Sequence, residues 1–315
     1  MDRIRIGVVG VGHLGNYHLQ KYQKFPNVKV IGVSDVAGGR AEEAAVLYGC
    51  LAFNSHVDLI GRVDAVSIAV PTASHYRVAK DFLAAGVDVL LEKPTASTVS
   101  EARELNDLAR AKALILQIGF VERFNPAIIA LEKVIDCPLF IEAHRLHPFF
   151  ARGTDVDVIL DLMIHDLDII LKFVNAPLDD VEAVGVSVLS PRVDIANARL
   201  SFENGCVANV TASRVTGKSM QKIRFFGLNG YHAIDYAKRE LVSLSKKAKG
   251  GSQHDIVQNH VEVKMHDPLE EEIRSFLQAV SQRTPPLVSG VDALPALEAA
   301  SKIMEKIRGR AGIAP

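Results

Sequence analysis

The chain has 315 residues, more than one domain usually contains, and 48% of them are hydrophobic. Its formal net charge of −1 gives no field that attracts nucleic acid or an anionic membrane, so we expect neither partner. The sequence has no apolar run of about 18 residues and shows no secretory signal pattern, so we expect a cytoplasmic protein. The three cysteines lie far apart without C-x-x-C spacing, which favours reduced thiols.

A glycine-rich turn follows the first predicted strand. The β-branched run from Ile4 to Val9 leads directly into Gly10-Val11-Gly12-His13-Leu14-Gly15. The first glycine allows a tight turn, the second lets the backbone approach a pyrophosphate, and the third allows close packing of the next helix. The N-terminus of that helix offers unpaired N–H groups. We therefore expect a dinucleotide at Gly10, Gly12, His13, Leu14 and Gly15.

An acidic residue ends the second predicted strand. This strand runs from Val28 to Val33 and is followed by Ser34-Asp35, about 20 residues beyond the glycines, where a dinucleotide site needs a carboxylate. Asp35 can bind the 2′-hydroxyl of the adenosine ribose and would repel a 2′-phosphate. We expect NAD rather than NADP, although Arg40 leaves room for some use of NADP. The alternative is that Asp35 only caps the next helix.

Strand and helix patterns alternate as far as Gly119, which predicts a doubly wound parallel sheet in a Rossmann domain of residues 1–120. Ligands of such sheets bind beyond the carboxyl ends of the strands. The segment Pro71 to His75 and the segment Glu92-Lys93-Pro94 both follow strands. We expect cofactor contacts from Pro71, Thr72, His75, Glu92 and Lys93. His75 also fits a role in packing or capping, whereas Lys93 lies in a loop restrained by proline.

Residues 121–288 predict a second, α+β domain with a large open sheet that is mainly antiparallel. Asn204-Gly205 and Asn229-Gly230 each lie between alternating runs, which is the pattern of a hairpin turn. The open face of such a sheet favours a homodimer or homotetramer. The polar segment 246–258 predicts a mobile loop. Residues 289–315 predict a C-terminal helix that packs back on the first domain.

One predicted helix, from Asp157 to Phe173, carries a narrow polar stripe. Asp157, Asp161, His165, Asp168 and Lys172 recur at helical spacing, and most other positions are apolar. The helix alone favours a solvated face in which Asp161 and His165 form a weak i,i+4 pair. Alternatively, His165 exchanges a proton with a substrate hydroxyl while Asp161 orients it. A metal site of His144, His147 and His165 matches no standard ligand spacing, so we expect no metal.

These motifs together resemble the Gfo/Idh/MocA family, named after glucose-fructose oxidoreductase, inositol dehydrogenase and a rhizopine-catabolism protein. The resemblance rests on Gly10-x-Gly12-x-x-Gly15-x-x-His18, Asp35, Glu92-Lys93-Pro94 and Asp161-x-x-x-His165. It implies a Rossmann domain followed by an open α/β domain, a tightly held nicotinamide cofactor, and oxidation or reduction of a sugar or cyclitol carbon. It also implies that Lys93, Asp161 and His165 are catalytic, and that the Lys93-Pro94 peptide is cis.

Residues 119–126 and 144–149, with Arg152, resemble the branch of this family that oxidises carbon 3 of UDP-N-acetylglucosamine. A guanidinium recognises a diphosphate bidentately, so Arg123, Arg145 and Arg152 are candidate substrate ligands, together with Asn125. Alternatively, Arg123 pairs with a carboxylate such as Glu122 or Glu92. The chain lacks the glycine-rich run that many members carry before the catalytic helix. We expect an NAD-dependent dehydrogenase of a sugar, and a nucleotide sugar is the substrate that these residues favour. One alternative is an inositol or free-sugar dehydrogenase. The other is a catalytically silent NAD-sensing regulator.

Overall fold

A computed structural model describes residues 3–149, 156–248 and 254–311. The chain divides into two compact units. The first comprises Met1–Val121 and Leu269–Leu294, and the second comprises Glu122–Pro268 and Pro295–Pro315. Among the described helices, none combines the length and the apolar character that crossing a membrane requires.

The first unit contains a six-stranded parallel sheet of order β3-β2-β1-β4-β5-β6. Its strands are β1 (Ile4–Val9), β2 (Val28–Ser34), β3 (Leu51–Phe53), β4 (Ala65–Ile68), β5 (Asp88–Glu92) and β6 (Leu116–Gly119). The helices α1 (His13–Tyr22), α2 (Gly38–Tyr48), α3 (Thr72–Ala84) and α4 (Val99–Ala111) alternate with them. All residues of β4, β5 and β6 are buried, as expected for central parallel strands. The predicted doubly wound sheet is confirmed.

The second unit contains an eight-stranded sheet of order β14-β13-β12-β11-β7-β10-β9-β8. Its strands are β7 (Phe140–Leu146), β8 (Leu178–Val186), β9 (Ile195–Phe202), β10 (Val207–Ser213), β11 (Met220–Phe226), β12 (Gly230–Asp235), β13 (Glu240–Ala248) and β14 (His254–Asn259). Every pair of neighbours is antiparallel except β7 and β10. The sheet is therefore mainly antiparallel, as predicted, and β9–β10 and β11–β12 are the two expected hairpins.

The prediction of a loop over residues 246–258 was wrong. Strand β13 continues to Ala248 and pairs with β14, which begins at His254; in this register Lys246 lies opposite Ile256. Residues 249–253 lie outside the described ranges. Lysines and polar residues suggested a loop, but they are also common on strands at the edge of a sheet, where charge discourages pairing with other chains.

Four further helices belong to the described part of the chain. In the second unit, α5 spans Pro126–Leu131, and α6 (Ile164–Val174) continues a π-helical turn at Ile159–Met163. The last two helices are α7 (Pro268–Gln282) and α8 (Gly290–Ala311). In the first unit, α7 contributes Ile273, Phe276 and Leu277 to the core formed by α1, α2 and the sheet. This packing explains why residues 269–294 group with a sheet that ends at residue 119.

Candidate active site

The glycine turn after β1 has the geometry that a dinucleotide requires. Gly10 has φ +85°, a conformation that favours glycine, and its N–H donates to Ser34 O at 2.7 Å. A Cβ on Gly15 would lie 1.8 Å from Gly10 O, so only glycine lets α1 pack so close to the turn. A Cβ on Gly12 would meet nothing within 4 Å, so the backbone there is open to an approaching ligand.

The N-terminus of α1 adjoins this open backbone. Gly12 is its N-cap and supplies no side-chain hydrogen bond, while His13 and Leu14 are exposed at its first turn. Backbone N–H groups and the helix dipole there favour an anion. The residues present therefore fit the pyrophosphate of NAD.

Asp35 anchors the glycine turn. Its carboxylate is buried and accepts hydrogen bonds from the N–H of Val11 at 3.0 Å and from the N–H of Ala37 at 2.8 Å. The second bond leads the chain into α2, on which Arg40 is exposed. An ionised carboxylate offers about four acceptor positions, so these two bonds leave capacity for ribose hydroxyls. The Asp35 carboxylate can therefore hold the chain at the start of α2 and also bind the ribose.

His75 connects the two loops that follow β4 and β5. It is 1% exposed on α3, and its ring nitrogens lie 2.7 Å from Pro94 O and 2.9 Å from Val70 O. Burial lowers the pKa of His75. At the start of α3, Pro71 is exposed and Thr72 is buried. The geometry of His75 is that of a buried bridge that fixes the loop after β5.

Lys93 lies directly after β5 and is half-buried, and the Lys93-Pro94 peptide is cis. Before it, Glu92 is 8% exposed, and its Oε1 lies 3.0 Å from Nε2 of the fully buried His18. The first unit therefore holds the backbone on both sides of Lys93, through Glu92 to α1 and through Pro94 to α3.

In the second unit, Asp161 and His165 lie on consecutive turns of one helix. Asp161 belongs to the π-helical turn and His165 to the first turn of α6, and both are half-buried. A π-helical turn closes i→i+5 hydrogen bonds, which shifts the phase of the helix after it. The polar stripe expected from the sequence is interrupted at Asp168, which is buried; Asp166, which is not part of that stripe, is buried as well.

His147, a metal-ligand candidate in the sequence and part of the segment 144–149, lies close enough to Asp161 to be affected by its charge. Its Nε2 is 2.7 Å from Nε2 of Gln221, whose amide can only donate, so the proton of a neutral His147 is on Nδ1. Burial and the charge of Arg145 lower the pKa of His147, and the charge of Asp161 acts in the opposite direction.

Arg145 and Arg123 are both engaged with carboxylates of α6. Arg145 is 4% exposed, and its Nε and Nη2 donate to the two oxygens of Asp166 at 2.9 and 3.1 Å. Its Nη1 donates to Glu122 at 3.0 Å. Arg123 donates through Nε and Nη2 to the two oxygens of Asp168 at 2.6 and 2.7 Å. The partner of Arg123 is therefore Asp168 and not Glu122 or Glu92, the two carboxylates named from the sequence.

Asn125, the other described candidate for substrate binding, is also buried. Its Oδ1 accepts from the N–H of Ala127 at the start of α5, and its Nδ2 donates to Glu122 and to Tyr236 O. With Arg123 and Arg145 it holds α5, β7 and α6 together. Arg152 lies outside the described residues.

Comparisons with known proteins agree with this architecture. Residues 4–120 match an oxidoreductase family with an NAD-binding Rossmann fold, and residues 141–232 match the Gfo/Idh/MocA C-terminal domain. The chain is 39% identical to UDP-N-acetylglucosamine 3-dehydrogenase of Acidithiobacillus ferrooxidans over 96% of its own length and 97% of that protein. A solved structure of that enzyme superposes with a TM-score of 0.88, covering 98% of this chain and 99% of the other. Identity to scyllo-inositol 2-dehydrogenase (NAD(+)) of Bacillus subtilis is 26%, over 94% of this chain and 92% of that protein.

Proposed function

This chain belongs to the Gfo/Idh/MocA family of NAD-binding oxidoreductases, and on that premise we propose that it oxidises a secondary alcohol of a nucleotide sugar, with UDP-N-acetylglucosamine as the first candidate. The observation that carries the proposal is the 39% identity to an enzyme of that specificity over nearly the full length of both chains. Inositol dehydrogenases match with lower identity, 26% for the Bacillus subtilis enzyme, so free cyclitols are the second candidate.

Lys93 is the electrostatic catalyst in this proposal. Bound NAD would supply the hydride acceptor. The ammonium group of Lys93 donates a hydrogen bond to the reacting oxygen and stabilises the negative charge that develops there as the hydroxyl proton leaves. The support is its position at the carboxyl end of β5, with its backbone fixed on both sides. Loss of one such donor usually lowers turnover about 10²-fold or more.

His165 is the general base for oxidation of the hydroxyl and the general acid for the reverse reaction, and Asp161 orients it or contacts the hydroxyl. The support is that both side chains are half-buried on consecutive turns of one helix, whereas Asp166 and Asp168 are withdrawn into ion pairs. An imidazole titrates near neutral pH, which suits transfer of a proton in both directions.

Recognition of the diphosphate is assigned first to Arg152, and Arg123, Asn125 and Arg145 contribute by holding the helix that carries His165. A buried guanidinium already paired with a carboxylate has little capacity left for a diphosphate, and exchanging partners would leave Asp166 or Asp168 buried and unpaired. The sequence alone makes Arg123, Arg145 and Arg152 equal candidates for binding the diphosphate. In this proposal Arg152 binds it, and Arg123 and Arg145 hold the helix.

The outer face of the second sheet is the proposed surface for self-association in the cytoplasm. This face is polar and contains a depression of about 470 Å³ lined by residues of β7, β8, β9 and β10, including Glu142, His144 and Arg199. Two residues of β8, Val184 in the lining of the depression and Val186, are half-exposed. A broad sheet face without covering helices favours a partner sheet in a homodimer or homotetramer.

The test is formation of NADH by the purified protein, followed by its ultraviolet absorbance, with UDP-N-acetylglucosamine, myo-inositol and glucose offered separately. We expect turnover of the nucleotide sugar alone, and a loss of about 10²-fold or more in Lys93→Ala with NAD still bound. Turnover restricted to myo-inositol would overturn the substrate assignment. Failure of Lys93→Ala to bind NAD, with normal turnover of the bound fraction, would overturn the role of Lys93.

A further inference from the structure

Glu272 of α7 is a buried carboxyl group without a hydrogen-bond partner. Its residue is 0% exposed, and neither side-chain oxygen forms a hydrogen bond within the described part of the chain. Carboxyl oxygens of Glu272 and Glu92 and a ring nitrogen of His18 all lie within 4.8 Å of one another. A buried polar group without a partner is costly, and an unpaired buried charge is far more so.

The neighbours of Glu272 already form a complete chain of hydrogen bonds. Tyr22 OH lies 2.6 Å from Ser67 Oγ, which lies 3.1 Å from His18 Nδ1, and His18 Nε2 lies 3.0 Å from Glu92 Oε1. One arrangement of protons satisfies every link: Tyr22 donates to Ser67, Ser67 donates to His18, and a neutral His18 donates to an ionised Glu92. None of these hydrogen bonds reaches either side-chain oxygen of Glu272.

Packing holds the two carboxyl groups in place. The side-chain amide of Gln117 donates to Glu272 O at 2.9 Å, which fixes this turn of α7 against β6. A Cβ on Gly119 would lie 3.0 Å from Oε2 of Glu92, so the glycine leaves the space that the Glu92 carboxylate occupies. The backbone of Glu272 and the side chain of Glu92 are therefore both held against β6.

The other charged groups of this part of α7 face away from Glu272. Glu270 pairs with Lys24 and with Arg274, and Arg274 also pairs with Glu271, all at least partly exposed. The titratable groups that face Glu272 are Glu92 on β5 and His18 and Tyr22 on α1. Burial, and after it the charge of Glu92, raise the pKa of Glu272 well above its ordinary value of 4.5.

We propose that Glu272 is a neutral acid in the working enzyme, and that its neutrality allows Glu92 to remain ionised and to hold the strand end that carries Lys93. Glu272 is then a positioning residue for the lysine. Its protonation follows from the packing of the first unit alone, whereas its effect on turnover rests on the proposed function.

The direct test is infrared difference spectroscopy of the full-length protein, wild type against Glu272→Gln, at neutral pH. A protonated carboxyl group has a C=O stretch separate from that of a carboxylate. We expect the wild type to show this acid band, Glu272→Gln to lose it, and the conservative Glu272→Asp to retain one. Loss of a carboxylate band instead of an acid band would overturn the proposal. So would a stoichiometric divalent metal in the purified wild type that Glu272→Gln lacks, because the three groups would then be ligands.

The second test is the pH dependence of unfolding of the same proteins. A raised pKa in the folded state gives a stability contribution that is complete below the unfolded value of 4.5 and is lost as pH rises towards the folded value. The glutamine variant is neutral in both states and lacks this loss. We therefore expect Glu272→Gln to match or exceed the stability of the wild type at neutral pH, and lower stability there would contradict the proposal.

The third test is the pH dependence of turnover. We expect Glu272→Gln to keep its activity at neutral pH and to retain it further into the alkaline range than the wild type, whose Glu272 finally ionises beside Glu92. If activity falls at the same alkaline pH in the two proteins, the positioning role is contradicted. If no sugar is turned over by the wild type, the proposed function fails, while the infrared and unfolding results still decide the state of Glu272.

Discussion

Arg145 donates two hydrogen bonds to the carboxylate of Asp166, the residue that directly follows His165. Arg123 forms the same two-pronged pair with Asp168, two residues further along α6. A bidentate guanidinium pair fixes orientation as well as distance. The helix that carries the proposed acid–base histidine is thus held at Asp166 and at Asp168 by largely buried pairs, so His165 is presented by a rigid element.

Replacing Arg145 with methionine is expected to lower the free energy of unfolding by about 3–5 kcal/mol, because the buried Asp166 and the partly buried Glu122 would lose their cation. Urea unfolding followed by circular dichroism measures this. The control is Arg110→Met, which removes a pair with Asp107 whose side chains are 82% and 67% exposed and which should change stability by less than about 1 kcal/mol. Equal effects in the two variants would contradict a structural role for Arg145.

The glycine turn gives a matched pair of variants. Gly15→Ala places a Cβ 1.8 Å from Gly10 O and is expected to destabilise the fold by at least about 3 kcal/mol. Gly12→Ala meets no atom within 4 Å, so it should change stability by less than about 1 kcal/mol while weakening NAD binding at least about tenfold. Thermal unfolding and a fluorescence titration with NADH separate the two effects. A Gly12→Ala protein with unchanged cofactor affinity would show that the pyrophosphate does not approach this residue.

Asp35→Ala is expected to weaken NADH binding by at least about tenfold, because a charge-assisted hydrogen bond to the ribose is worth roughly 1.5–3 kcal/mol. NADPH should lose less affinity, since removal of the carboxylate also removes its repulsion of a 2′-phosphate. Parallel titrations with the two nucleotides check the change in preference. Glu42→Ala, at an exposed position of α2, is the control. A preference between the nucleotides that stays the same in Asp35→Ala would place the ribose elsewhere.

Asp194 is expected to make the second unit sensitive to acid. Burial raises its pKa, but hydrogen bonds from the Ser190 hydroxyl and from the backbone N–H groups of residues 188–190 outweigh this and lower it from 3.8 to about 2. A lowered folded pKa gives stability that is present above 3.8 and is lost as pH falls through about 2, amounting to about 2 kcal/mol. Asp194→Asn should unfold with a shallower dependence on pH in this window. A slope equal to that of the wild type would show that other carboxylates control acid unfolding.

Much of the fold could be predicted because its signals are local. The run from Ile4 to Val9 became β1 with those bounds, and the hairpins at Asn204-Gly205 and Asn229-Gly230 were confirmed. Helix α7 begins at Pro268, as expected for proline at the first position of a helix. Strand β3 could not be predicted, because three residues are too few to show a periodicity.

The ion-pair partners of the arginines could not be predicted in the same way. Arg123 pairs with Asp168, which lies 45 residues further along the chain, and a contact over such a separation has no local sequence signature. Glu272 did leave a signal. It lies on the same helical stripe as Leu269, Ile273 and Phe276, all apolar, whereas Glu270 and Glu271 beside it lie on the other side of the helix. An acid on an apolar stripe indicates either a buried neutral group or a site, and the spacing of these residues along the sequence is enough to reveal it.

The packing of α7 on the first sheet has a consequence for synthesis of the protein. The ribosome completes all six strands of that sheet by residue 119, but the helix that completes the core containing Ile6, Leu19 and Leu90 begins only at Pro268. During the interval the nascent Rossmann half exposes apolar surface while the whole eight-stranded sheet is being made. Such delays favour aggregation and recruitment of chaperones. Cotranslational folding of the NAD-binding unit should therefore finish late, after most of the second unit has emerged.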